Sequence, residues 1–341
     1  MRRKNLLFVL FLLIVVTVLA ACGDDAQKAE GSTPSKENDE VIKIKVGHQG
    51  APTDAVSLGF EGYAKKVEEA TEGRVQFEIH GNGSLGGERD LAEQIQMGNL
   101  DMSVLTTGIV GNFANELRVF DMPFLFRDLD HAYTVLDSEI GQEMLDGMES
   151  SGFKGIAFWE NGVRQFANNV KPIKSPEDMK GLKMRTIENE VLIDSYKSLG
   201  ADAVPMAYPE LFSSLQQGVV DGHDQGLTIL YTSALYEVQN YVSEAGFTYA
   251  SMTLLMNNKF YESLPEDIQK IIVEIGKDYA SEQRALNQEL DADAKKNMEE
   301  AGVIITEASE IDTEAFRKAV EPVYEKHGKK FGDYIQRISD M

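Results

Sequence analysis

From Ser263-Leu264-Pro265-Glu266 onward, apolar residues recur at helical spacing (Ile268, Ile271, Ile272, Ile275, Tyr279, Leu286, Leu290), and no proline interrupts them before Glu300. The opening four residues have the pattern of a capping box. About 36 residues at 1.5 Å each make a helix more than 50 Å long. The chain has 341 residues, and the roughly 300 that follow residue 40 are too many for one compact core and suit two lobes. A helix of this length outreaches either lobe. Pairing with a second helix as a coiled coil is one way to accommodate it.

The segments before it alternate in type. Val41 to Val46 and Val75 to Ile79 have the period-two pattern of strands, and Leu100 to Leu105 is a short buried run. Ala55 to Glu69 and Glu88 to Met97 have helical spacing between them. Strands separated by helices predict crossover units and a largely parallel α/β sheet. Phe153 to Trp159 and Phe247 to Met256 read as further strands, Val303 to Ile305 as the last, and Asp312 to Asp340 as helical. The glycine-rich Gly81 to Gly87 lacks the lysine and hydroxyl of a phosphate loop and the spacing of a dinucleotide fingerprint. The dense apolar run Phe120 to Phe126 is expected to pack in the core.

The N-terminus reads as a targeting segment. Arg2, Arg3 and Lys4 precede an apolar stretch from Leu6 to Leu19, and Leu19-Ala20-Ala21-Cys22 looks like a bacterial lipobox. Residues 1–21 are expected to be a lipoprotein signal peptide, with Cys22 the lipidated residue. Cys22 is the only cysteine, so no intramolecular disulfide is possible. Residues 22–40 carry no large apolar side chain and suit a flexible tether. The net charge of −23 becomes −26 once the three leader cations are set aside. That balance argues against nucleic acid as a partner.

Within the stretch Trp159 to Arg185, Ser175-Pro176-Glu177-Asp178 has the order of a helical-turn start and Lys183-Met184-Arg185 resumes an extended run. An arginine at a strand end facing a cleft is a fork for a planar carboxylate; the plain alternative is a surface salt bridge. The strand ending at Trp159 would deliver Glu160, Asn161 and Arg164 to its carboxyl end, where open α/β sheets bind ligands.

Three segments in order, NGVRQFANN, P-x-D-M-K-G-L-K-M-R and PMAYPELFSSLQQGVVDG, closely resemble the substrate-binding proteins of tripartite ATP-independent periplasmic (TRAP) transporters, the DctP-like family. The resemblance covers most of the chain after residue 40. It implies a two-lobe periplasmic-binding-protein-like α/β fold with a long helix spanning both lobes, here 41–161 plus 251–290 and 162–250 plus 291–341. It further implies that Arg185 pairs with the substrate carboxylate, that Arg164 adds a second charge-assisted contact, and that Tyr208 lines the pocket. Where the family commonly reads VDGQENP, this chain has Val220-Asp221-Gly222-His223-Asp224-Gln225-Gly226. Gln225 keeps an amide in place of the asparagine but is one methylene longer. Gln49 and Thr106 or Thr107, at the ends of the first and third strands, are the expected contacts from the other lobe.

His48 and His223, with Glu160 and Asp224, are the residues from which a metal site could be built, but they lack any tight ligand spacing, and no metal or cofactor is expected. The expected function is capture of an organic acid, a sugar acid or a C4-dicarboxylate, and its delivery to the small and large membrane subunits of a TRAP permease. The receptor is expected to be monomeric and held outside the cytoplasm by its lipid anchor. A ligand sensor serving a signalling partner is the alternative. An enzyme is disfavoured, since the chain has no G-x-S-x-G elbow and no H-E-x-x-H.

Overall fold

The computed structural model describes residues 41–341; the leader, Cys22 and the tether lie outside the described residues. The strands are β1 (Ile42–Gly47), β2 (Val75–His80), β3 (Met102–Thr106), β4 (Phe153–Asn168), β5 (Lys183–Thr186), β6 (Asp202–Pro205), β7 (Gly222–Gln225), β8 (Tyr241–Asn257) and β9 (Ile304–Thr306). They form one sheet in the order β2-β1-β3-β8-β4-β7-β5-β6, with β9 added beside β8.

The sheet is mixed rather than largely parallel. The crossover argument holds for two wings, in which β1 runs parallel to β2 and β3, and β5 parallel to β6 and β7. The centre departs from it, because β8 runs antiparallel to β3 and β4, and β4 antiparallel to β7. These two strands are 16 and 17 residues long and each serves both wings. β8 meets β3 through Met252–Met256, and β4 meets β7 through Gln165–Asn168.

The strand expected to end at Trp159 therefore continues for nine more residues. It survives because the β4–β8 ladder shifts register at three places, Gly155/Ala157, Glu160/Gly162 and Arg164/Phe166. Gly162 takes φ +101, a left-handed value that a side chain would resist. The lobe boundaries expected at 161/162 and 250/251 fall inside β4 and β8.

The long helix spans Glu266–Glu300. It sends Ile268, Ile272, Tyr279 and Ala280 into a core built on β1, β3 and the helix Ala55–Ala70. Further along, Ala294 and Met298 enter a second core with Leu211, Leu215 and Leu230. One helix thus contributes to the cores of both halves. The expected capping box at its start does not form: no side chain caps the helix, and Ser263 Oγ instead donates to the Phe260 carbonyl (2.6 Å), closing the preceding turn. Phe120, Met122 and Phe124 to Phe126 are buried in the largest core, as the apolar run implied. The C-terminal region is divided into Thr313–Ala319, Glu321–His327 and Tyr334–Ser339. Pro322, which cannot donate an amide bond, and Gly332 at φ +57 accompany the breaks.

Close approach of the long helix to the sheet depends on Gly276. A Cβ there would sit 2.5 Å from Ile156 Cγ2, and its carbonyl accepts from Trp159 Nε1 (3.4 Å). Gly276→Val should wedge the helix off β4 and cost about 1–3 kcal/mol. Urea denaturation measures it, and a change below about 0.5 kcal/mol would mean the contact yields freely.

Candidate functional site

The carboxyl ends of strands from both wings converge on a cavity of about 270 Å³. Gln49 follows β1, Thr106 ends β3, Arg185 lies near the end of β5 and Gln225 ends β7; Asn161 and Arg164 come from the bulged middle of β4 and Tyr208 from the turn after β6. These seven expected residues all line the cavity.

Thr107 and Glu160 do not. The Thr107 hydroxyl accepts from Ser251 Oγ (2.9 Å) and shares a hydrogen bond with Thr253 Oγ1 (3.0 Å) on the inner side of the sheet. Glu160 is fully buried and accepts from Tyr133 Oη (2.6 Å), Asn287 Nδ2 (2.8 Å) and Gln288 Nε2. Successive strand side chains point to opposite faces. Asn161 therefore turns to the cavity while Glu160 turns to the long helix, a distinction that position in the chain alone does not make.

The two arginines differ in what holds them. Arg164 bonds through Nε to Asp224 Oδ2 and donates from Nη2 to the Asp224 carbonyl (2.6 Å). Tyr196 Oη donates to the other Asp224 oxygen. Burial pushes the Asp224 carboxyl up, but Arg164 and these hydrogen bonds outweigh it and hold the group below its ordinary value. Arg164 is thus half of a neutral buried pair.

Arg185 is only 1% exposed and, among the described residues, has no carboxylate partner. Its Nε donates to the Met206 carbonyl (3.0 Å), its Cζ lies 5.9 Å from the centre of the Tyr208 ring, and its Nη1 is buried without a partner. Burial, reinforced by the neighbouring Arg164 charge, draws the guanidinium down to about 10. Gln49 Nε2, Asn161 Oδ1 and Gln225 Oε1 are likewise buried and unpartnered. The cavity therefore offers one unpaired cation and three unsatisfied amides. Tyr208 Oη donates to Ser233 Oγ (2.7 Å), which fixes its ring.

Reasoning from the sequence missed Glu88, which lines the same cavity. Its Oε1 accepts from the Thr106 amide (3.0 Å) and hydroxyl (2.9 Å), and burial raises it against the pull of those bonds, Arg185 and Arg164. The available signal was an acid opening the helix that follows the glycine loop. The apolar lining (Val56, Ile109, Ile187, Met206, Ile229, Met252) carried no signal, since such residues look like core. His48 stacks beside Phe60 and His223 lies within β7, both almost wholly buried. Among the described residues, no group of three or more His, Cys, Asp or Glu could hold a metal ion.

Below the cavity, burial pushes Asp121 up to about 7 against the opposing pull of Arg164 and a hydrogen bond from Asn189 Nδ2 (2.9 Å). A raised folded value means that the folded protein keeps a proton the unfolded chain releases. The Asp121 contribution to the unfolding free energy should therefore rise as pH falls from 8 toward 6.5, by about 1 kcal/mol at most. Over the same window His48 and His223, lowered by burial to about 4 and about 3, act in the opposite sense, because the unfolded chain protonates them at about 6.5 and the folded protein does not. Asp121→Asn removes that contribution, so in urea titrations the variant should lose about that much unfolding free energy at pH 6.5 relative to pH 8 when compared with the wild type; an identical pH difference in the two proteins would assign the effect elsewhere.

Comparison with known proteins covers nearly all the described residues. The model for bacterial extracellular solute-binding protein, family 7, matches residues 46–330. A solute-binding protein of Verminephrobacter eiseniae is 37% identical over 285 residues, 84% of this chain and 82% of that protein. A TRAP periplasmic solute binding protein from a Polaromonas species, bound to D-erythronate, is similar in structure with a TM-score of 0.85 and 36% identity, covering 87% of this chain and 98% of that one. Another, from a Sulfitobacter species with bound β-D-galacturonate, has a TM-score of 0.82 and 30% identity, covering 87% and 97%.

Proposed function

The chain belongs to family 7 of the bacterial extracellular solute-binding proteins, and from that premise we propose that it captures an organic acid by its carboxylate and delivers it to a TRAP permease. One observation carries this reading. Arg185 is a buried cation with an unpartnered donor, Nη1, in a cavity where no carboxylate forms an ion pair with it. An uncompensated buried charge is costly, and a ligand carboxylate would supply the missing partner through charge-assisted hydrogen bonds. Arg164, already neutralised by Asp224, lines the cavity without leaving a free charge there. The relatives with bound D-erythronate and β-D-galacturonate make hydroxylated acids the first ligands to try.

The proposed division is into lobes 41–161 plus 251–290 and 162–250 plus 291–341, closing on the ligand by bending at the bulges of β4 and β8. No reaction is performed: the side chains in the cavity are matched to holding an anion, and the family is one of solute-binding receptors. Outside the described residues, Cys22 would carry the lipid that keeps the receptor at the cell membrane. No helix among the described residues is long and apolar enough to cross a membrane.

Two experiments test this. A thermal-shift screen of residues 23–341 against sugar acids, C4-dicarboxylates and neutral sugars should give a hit among the acids. A ligand at a hundred times its Kd adds about 2.7 kcal/mol. Arg185→Ala should weaken that hit by about 30-fold or more, and equal binding by the variant would refute the assigned role. For the anchor, mass spectrometry of the protein purified from a bacterial host should find a lipid-modified N-terminal Cys22. A mature N-terminus without lipid would refute lipidation at Cys22.

A further inference from the structure

The charges around the cavity are unevenly matched. Of its three lining arginines, Arg164 is paired with Asp224, and Arg89 with Glu188 (2.7 Å) and Glu93 (3.2 Å). Among the described residues, that leaves Arg185 as the lining cation with no acid partner. Glu88, from the opposite wing, faces the same space. It lies close enough to feel the Arg185 charge but does not form an ion pair with it. Both hydrogen bonds that Glu88 receives, from the Thr106 amide and hydroxyl, go to Oε1. Oε2 has no such bond and remains able to accept.

We propose that Glu88 is a specificity-determining residue that restricts the cavity to hydroxylated monocarboxylates and turns dicarboxylates away. This rests on the carboxylate reading of the preceding section. One carboxylate satisfies Arg185. The remaining open groups, Glu88 Oε2 and the unpartnered amide atoms of Gln49, Asn161 and Gln225, suit hydroxyls, which both donate and accept. A hydroxyl can donate to Glu88. A second carboxylate cannot, and it would enter a desolvated space against a like charge with no second free cation to offset it. Selectivity thus comes from a repulsive element as much as from the attractive one.

The test uses acid pairs that differ only in whether the far carbon is CH2OH or carboxylate: D-erythronate against meso-tartrate, and D-galactonate against galactarate. Titration calorimetry at pH 7.5 on residues 23–341 should show at least one monoacid binding and its diacid weaker by about a hundredfold or more. Glu88→Gln keeps an acceptor for Thr106 and removes the charge. It should shrink that ratio by about tenfold or more, mainly through tighter diacid binding. Glu88→Ala should move it in the same direction, with unchanged melting temperatures certifying both folds. A wild-type protein that takes both members of a pair equally well, or a preference that neither substitution alters, overturns the role of Glu88 and leaves the carboxylate reading standing. If none of the four acids binds the wild type, this proposal falls; if a bound acid is unaffected by Arg185→Ala, the carboxylate reading falls and this proposal with it.

Discussion

The antiparallel ladder between β4 and β8 is the constraint from which the rest of the architecture follows. Two parallel wings of three strands each have no bond to one another except through this pair. Because both strands are long enough to reach from one wing to the other, the backbone is continuous across the middle of the molecule. Its three register shifts concentrate there. A bulged ladder keeps its pairing on either side while changing direction, so the place where the sheet can bend is also the place where Asn161, Arg164 and Met252 meet the cavity. The opposite face of the same stretch carries Glu160, locked to Asn287 and Gln288 of the long helix. Cavity-lining residues and the fastening of the long helix thus come from adjacent positions of one strand.

Electrostatics separates two arginines that look equivalent in sequence. Arg164, Asp224 and Tyr196 form a hydrogen-bonded unit, and removing Arg164 or Asp224 would leave the other's charge stranded in a low dielectric. Arg185 is buried to a similar degree without such a partner. A fold rarely tolerates this unless something from outside completes it, and local rules tend to be broken at functional positions. Glu88, sitting across the same space, sets a second condition on what can enter. The polar lining is therefore a set of unfilled demands: one cation, one acceptor and three amides. The apolar residues around them exclude water and strengthen each contact.

Much of this was written in local pattern. Period-two and helical spacing located β1, β2, the helix that follows each and the long helix to within a residue or two, because those elements bury one face and the apolar period records it. The three motif segments identified the family and, with it, the positions of Arg164, Arg185, Tyr208 and Gln225. What local pattern could not fix was anything that depends on which strands become neighbours. The continuation of β4 past Trp159 rests on a partner strand about 80 residues away and on the left-handed backbone at Gly162. The side to which Glu160 and Thr107 point follows from pairing register, which no single segment contains. The charge state of the site is likewise tertiary, since Asp224 reaches Arg164 across 60 residues of chain while Arg185 is left unpaired. Sequence by itself determined the elements, the family and the residues available for binding. Only the tertiary structure decided which of them face the cavity and which neutralise one another, because facing and neutralising are relations between distant segments that the sheet alone brings together.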